Sequence, residues 1–482
     1  MTITSPGGQN IGAFGSQSSE TLTPVVQVDS VYGALTDQVE TFTDGDGTAV
    51  AVNGVFQAHS GTGVGNFGVI RSRRAVVYRP GQAVICRYTA LWPTVPGALM
   101  SAWAGMFNLL DAFAFGYNGN TFGTLHRHSG AAEIQQLTLN TAASGAENVT
   151  ITLANTNTTV AVNTTGIANT AQQIVDGDTW DGWSVQADGN TVTFLRNRLG
   201  VQNNTFAISS DGTADGTFSQ TVAGKAATTD WTPQASWNGE SLPFTLNTQV
   251  GNVFEIDYQY LGYGVVAYKI EHPHTGQPII VHRLQYPNTS TMPHTRLPSM
   301  KVGWLAASLG GSGTDIQCQG ASGMLAVAGK STANENAKAF QATNLSVGTS
   351  FVSVFQIRNK VVFGDVPNQG LMLLKSCSVG SSSTKDTTVQ LAIGATLDSE
   401  TENWTSINAN TSLAESDTTA DGIGTEGEIV TEVAVGPSGS EFVDLNPLNI
   451  QLAPGEKLSV FSKVSSGSAA EVSVTLNWVE LK

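Results

Sequence analysis

Apolar and polar residues alternate one for one through much of this chain, and that period of two constrains its fold more than any other feature. In EVSVTLNWVE, Val472, Val474, Leu476 and Trp478 fall on one side while Ser473, Thr475 and Asn477 fall on the other, as on a strand with one buried face. The same alternation groups Val149, Ile151 and Leu153, and Val192 with Phe194. The runs are short and end at turn formers: DGDG at 44–47, Asp-Gly at 188–189 and 211–212, Asn-Gly at 53–54 and 118–119. Such dipeptides tolerate the positive φ that two-residue hairpins need. Helical signals are few. TGIANTAQQIVDG (165–177) predicts one short helix and TANENAKAF (332–340) a turn or two. The class is mainly β.

With 482 residues, 40% of them hydrophobic, the chain is long enough for two to four domains with real cores. Its character shifts and then shifts back. Residues 1–20 are Gly/Ser-rich and predict a flexible arm. Residues 21–130 and 231–325 are rich in aromatics and arginine, whereas 131–230 turns to Thr, Asn and Ala. That pattern predicts a discontinuous N-terminal β domain carrying a small inserted α+β domain. A break at 326–345 predicts a linker, and 346–482 a C-terminal β-sandwich of the jelly-roll kind, so that β-sandwich domains follow in series. Within it, the acidic stretch 398–428 predicts a long surface loop. No repeat period is evident, which argues against a solenoid or propeller.

Charged residues are only 12% of the chain, about half the usual share. Thr, Asn, Ser and 52 glycines take their place. Neutral hydrogen-bonding groups keep such a surface wet with little dependence on salt or pH, which suits an extracellular or virion β-protein. A net charge of −16 argues against nucleic acid as a main partner. Cys86, Cys318 and Cys377 are far apart and predict buried hydrophobes rather than a disulfide framework. The first residues lack a basic and an apolar export region, and no apolar run reaches the ~20 residues of a membrane span. Together these predict a particle component assembled in the host cytoplasm and released by lysis, without membrane insertion.

Two clusters interrupt this neutral background. Arg71, Arg73, Arg74, Arg79 and Arg87 are five of only 22 basic residues. Guanidinium forks pair with carboxylates in a fixed geometry, so these five are the candidates for a subunit interface; pairing within the chain is the first alternative and contact with nucleic acid the last. The second cluster is His126-Arg-His128 with His272-Pro-His274. An HxH pair on a strand points both imidazoles to one face, and two such pairs would suffice for a metal. Polar loop and interface roles are the commoner fate of such residues, so no metal and no cofactor is assigned. GVGNFG at 63–68 fits a dinucleotide loop on paper, but VIRSRRAVVYRPGQ follows it, a strand and turn where a helix is required. Asp44 and Asp46 in TDGDGT lack the later ligands of a calcium loop and predict a hairpin turn. GxSxG, HExxH and CxxC are absent, and no enzymatic activity is expected. The nine tryptophans are expected as core or interface anchors before sugar platforms.

At RSRRAVVYRPGQ (71–82), FGYNG (115–119), TLHRHSG (124–130), DWTPQASWN (230–238) and LAPGEKLSVFSKVSSGSAAEVSVTLNWVE (452–480), the chain resembles the β-rich virion structural proteins of tailed bacteriophages. The resemblance spans most of the chain; its motifs are specific as a set and weak singly. It implies a multi-copy virion component of the tail fibre or baseplate type, built by contacts with other virion proteins and with copies of itself, a trimer being favoured. A receptor-binding role toward host-surface glycan through the C-terminal domain, or a capsid-decorating role, is the alternative.

Overall fold

The computed structural model describes residues 22–163, 166–202, 204–259, 261–310, 313–328, 336–397 and 402–482. The arm expected at 1–20 lies outside them. Among the described residues the fold is mainly β: antiparallel sheets, with one α-helix. Contacts divide the chain into two units, Met1–Gly130 with Ala226–Thr332, and Ala131–Lys225 with Ala333–Lys482.

The first unit is a sandwich of a six-stranded and a seven-stranded sheet, with a three-stranded sheet beside them. The six-stranded sheet runs in the order Leu22–Asp29, Ser322–Ala328, Val84–Ala90, Asn252–Tyr258, Val266–Glu271 and Pro278–Leu284. The seven-stranded sheet runs Thr228–Pro233, Thr121–His128, Ala112–Asn118, Met100–Phe107, Lys301–Ser308, Phe67–Ser72 and Val39–Asp44. Alternation does what it promised. In Val84–Ala90, Val84, Cys86, Tyr88 and Ala90 are buried while the residues between them are half-exposed. The six-stranded sheet's Tyr88, Phe254, Tyr258 and Tyr268 meet Phe113, Phe115 and Phe122 of the seven-stranded sheet in one core. Edge-on and tilted ring contacts at 4.8–5.9 Å fill that core, a geometry that aromatic quadrupoles favour. Ala112 and Ala114 face the other way, into a second cluster with Trp103, Phe107 and Leu125. The strand Ala112–Asn118 is therefore buried on both faces and reads as a nearly continuous apolar run.

In the second unit, residues 132–222 form a four-stranded and a three-stranded sheet around a core of Leu137, Val149, Ile151, Val160, Val192 and Phe194. The helix Ile167–Asp176 packs Ala171 and Ile174 onto that core, as the 165–177 pattern predicted. The C-terminal segment supplies eight main strands: Asn336–Val347, Val352–Asn359, Leu371–Ser381, Thr387–Ile393, Glu428–Val435, Ser440–Asp444, Lys457–Val464 and Ala470–Leu481. Counted one to eight, they pair as 1-8-3-6 in one sheet and 2-7-4-5 in the other. That is the double Greek key of a jelly roll.

Two expectations need correction. Residues 336–345, expected as linker with helical turns, are strand, pairing Asn336–Asn344 with Val472–Glu480; the alternating apolar face of Phe340 and Ala342 packs on the sandwich core. The linker's remaining centre, 329–335, lies outside the described residues. The acidic stretch 398–428 is not a plain surface loop. Glu402, Trp404, Glu415 and Asp417 are buried, and Ala414–Asp417 pairs with Val352–Asn359. Its carboxylates are used inside: Arg358 Nε meets Glu415 Oε2 at 2.8 Å and the guanidinium lies 4.1 Å over Trp404. The inserted and C-terminal segments keep separate cores and fall within one unit by their contacts. The Gly189 amide donates to the Trp404 carbonyl at 3.1 Å and the Val361 amide to Gln186 Oε1 at 2.8 Å.

Candidate functional site

The candidate arginines are distributed over several elements, and two of them, Arg71 and Arg87, pair with carboxylates of the same chain. Register places Arg71 directly opposite Glu40 on neighbouring strands of the seven-stranded sheet. Its Nε donates to Glu40 Oε1 at 2.6 Å, and Lys301 Nζ donates to the same oxygen at 2.6 Å. The guanidinium also lies 4.8 Å over the Phe42 ring. Glycine at 303, opposite Arg71, is required here, since a Cβ would stand 2.5 Å from the Arg71 Cβ. Burial raises the Glu40 carboxyl, but Arg71 and Lys301 together outweigh it and hold the group below its usual range. Burial, assisted by Arg71 and Arg73, pushes the Lys301 ammonium down to about 8 against the pull of Glu40. Arg73 Nη1 donates to the Thr36 carbonyl at 2.9 Å, and Arg87 pairs with Glu271. Arg79 sits in the turn closed by Gln82, and Arg74 is half-buried beyond the strand end.

The two histidine pairs have different fates, and the structure does not combine them. His272 and His274 occupy a turn, where His272 Nδ1 accepts from the amides of His274 and Thr275 at 3.1 and 3.3 Å. His126 and His128 sit on the strand Thr121–His128, next to the edge strand Thr228–Pro233, with Asp230 opposite His126. Both rings share the inward face, stacked with centroids 4.3 Å apart. His126 is 3% exposed and lies flat on Phe113 at 5.1 Å. Its Nε2 is 2.7 Å from the His294 carbonyl. A carbonyl only accepts, so Nε2 carries the proton and Nδ1 presents a lone pair. Burial holds this imidazole to about 4, leaving it neutral at pH 7. Nδ1 has no hydrogen-bond partner and faces Asp230 Oδ2 at 3.7 Å. His128 Nε2 reaches the same oxygen at 2.9 Å, and its Nδ1 meets Ser129 Oγ at 2.7 Å. Among the described residues His126, His128 and Asp230 are a group of three whose ligand atoms all lie within 4.8 Å of one another.

Asp230 and Glu40 were not singled out from the sequence. The signal for both is strand register, which brings residues 104 and 31 positions apart into direct opposition and leaves no local mark. A third feature also escaped. The Gly65 amide donates to the Ser308 carbonyl at 2.7 Å and the Leu309 amide to the Leu99 carbonyl at 2.8 Å. These bonds gather Val64, Leu99 and Leu309, exposed by 72%, 65% and 58%. Leu99 is held there at φ 64, a backbone region that costs a non-glycine residue energy.

No family model matches the chain, and no curated protein does. Among solved structures it is similar to a legume lectin-like domain from Entamoeba histolytica, at 10% identity and a TM-score of 0.23, covering 60% of this chain and 89% of that one. It is similar to the lectin UEA-II, solved with galactose, at 7% identity and a TM-score of 0.22, covering 64% and 100%. A chain from the triple jelly roll and turret assembly of an archaeal virus matches at 10% identity and a TM-score of 0.16, covering 98% of each. At these scores the likenesses carry no argument about function.

Proposed function

We propose that the chain is a non-enzymatic structural component of a tailed-phage virion, tail-associated, that assembles through contacts with copies of itself and with other virion proteins. The observation that carries this reading is the exposed apolar group Val64, Leu99 and Leu309. Backbone hydrogen bonds gather it, and it includes a leucine in the left-handed region. Apolar side chains held outward at a conformational cost are a surface built to be covered. The chain's scarcity of charge supports the same reading, since an interface on such a body forms by apolar burial and changes little with salt.

The test is a triple variant, V64D/L99D/L309D. The reading expects a folded chain, with far-UV circular dichroism and melting close to the parent, that fails to enter particles in a complementation assay. Normal incorporation of the variant defeats it. A reconstruction of the particle then separates tail from capsid by position and copy number.

A further inference from the structure

We propose that His126, His128 and Asp230 form a binding site for a divalent transition-metal ion of the zinc class, with a fourth position open to water. The inference concerns this edge of the first unit and does not depend on the role proposed above.

The donor set comes first. Two imidazole nitrogens and one carboxylate oxygen suit a borderline ion such as Zn²⁺ rather than Ca²⁺ or Mg²⁺, which favour all-oxygen shells. Bonds of 2.0–2.1 Å in a tetrahedron place donor atoms about 3.4 Å apart. Here Asp230 Oδ2 stands 2.9 Å from His128 Nε2 and 3.7 Å from His126 Nδ1, so the donors bracket that separation.

The second observation is the unanswered nitrogen. His126 is buried, its Nδ1 has no hydrogen-bond partner, and the His294 carbonyl fixes the tautomer so that Nδ1 cannot donate to Asp230. A lone pair and a carboxylate oxygen therefore face each other across 3.7 Å with no proton between them, and an unsatisfied buried acceptor carries a real desolvation cost. A cation placed there answers both groups. The same contact to His294 O is the outer-shell support that metal-binding histidines usually have.

His128 has matching support. Without an ion, Nε2–H donates to Asp230 and Nδ1 accepts from the Ser129 hydroxyl. With an ion bound, Nε2 gives up its proton, Nδ1–H donates to the same hydroxyl, and Ser129 can serve both ways. The rings are stacked within 18°, so one must turn about χ2 to aim at a shared ion. That torsion is broad for histidine, and His128, unlike His126, lies at the open side with 15% of its side chain exposed. Asp230, 58% exposed, gives the ion its route in. Since Asp230 sits on the edge strand and both histidines on its neighbour, a bound ion would pin that edge to the sheet.

The experiment titrates Zn²⁺ into the full chain, without a histidine tag, by calorimetry, and repeats the titration with Co²⁺ to read its visible absorption. One ion per chain and a four-coordinate Co²⁺ spectrum are expected. D230N and H128Q should each weaken binding at least about tenfold, while the H272A/H274A chain binds as the parent does. Both diagnostic residues lie at the open side, so their variants are checked for an unchanged circular dichroism spectrum. As a second readout, Zn²⁺ should raise the melting temperature of the parent and not of D230N. No stoichiometric binding, or binding and thermal shift undiminished in D230N and H128Q, overturns the site.

Discussion

The arginine strand and the histidine strand belong to one seven-stranded sheet and meet opposite ends. At Arg71 every charged group has an opposite partner: Glu40 lies across the register, Lys301 shares the same oxygen, and Phe42 covers the guanidinium. At His126 the cross-strand partner is again a carboxylate, yet the ring nitrogen facing it has no proton to offer and no other partner. The difference teaches how to separate a structural cluster from a site in a charge-poor chain. Saturation marks the first. A lone pair left unanswered, on otherwise fixed geometry, marks the second.

The contrast is broken most easily at Glu40. Glu40→Gln keeps the shape of the side chain and removes its charge, leaving Arg71 and Lys301 together without a counter-ion. Losing one member of a buried ionic group costs about 3 kcal/mol or more, and urea unfolding of the first unit should show that loss. A change under about 1 kcal/mol would class the group with ordinary surface pairs, and saturation would then say nothing about structural weight.

Lys301 offers a second, pH-resolved handle of slightly smaller size. Its folded pKa is about 8, against an ordinary value near 10.5. Between those values the unfolded chain holds more protons than the folded one, so stability rises as pH climbs from about 8 to 10.5 and the burden is fully present below 8. The rise should be on the order of 2–3 kcal/mol. It should vanish in Lys301→Met, where no amine titrates. The comparison is made between the two chains at each pH, because the buried thiols of Cys86 and Cys377, pushed up by burial, oppose the trend equally in both. Parallel curves for the two chains would show that Lys301 is not the group responsible.

What the sequence made legible follows from the range of each interaction. Alternation is local, so the β class and strands such as Ala470–Leu481 could be read from ten residues at a time. The helix Ile167–Asp176 was visible for the same reason. Pairing is not local. That Ala470–Leu481 lies between Asn336–Val347 and Leu371–Ser381 is set by cores assembled from distant segments. The acidic stretch misled because polarity was taken for exposure, whereas Glu402 and Glu415 are buried by their cations Lys457 and Arg358. The arginines were legible only in part. Clustering was visible, but the carboxylates that answer it stand on other strands. The HxH spacing correctly placed His126 and His128 on one face, while Pro273 and the turn around it kept His272 and His274 from doing the same.

The smallest expected effects sharpen the comparison from the other side. His274 is exposed, its amide donates to His272 and its ring only brushes the His272 ring at 5.8 Å, so His274→Ala should change stability by no more than about 0.5 kcal/mol. Asp230→Asn removes a carboxylate acceptor of His128 Nε2 that is largely in water, and in metal-free buffer it should cost at most about 1 kcal/mol. The asparagine amide can in fact donate to His126 Nδ1, which the carboxylate cannot, so a slight gain in stability is equally in keeping with an unanswered lone pair. A loss well beyond 1 kcal/mol in metal-free buffer would mean that Asp230 already satisfies its neighbours without an ion. The histidine edge would then be as saturated as the arginine strand.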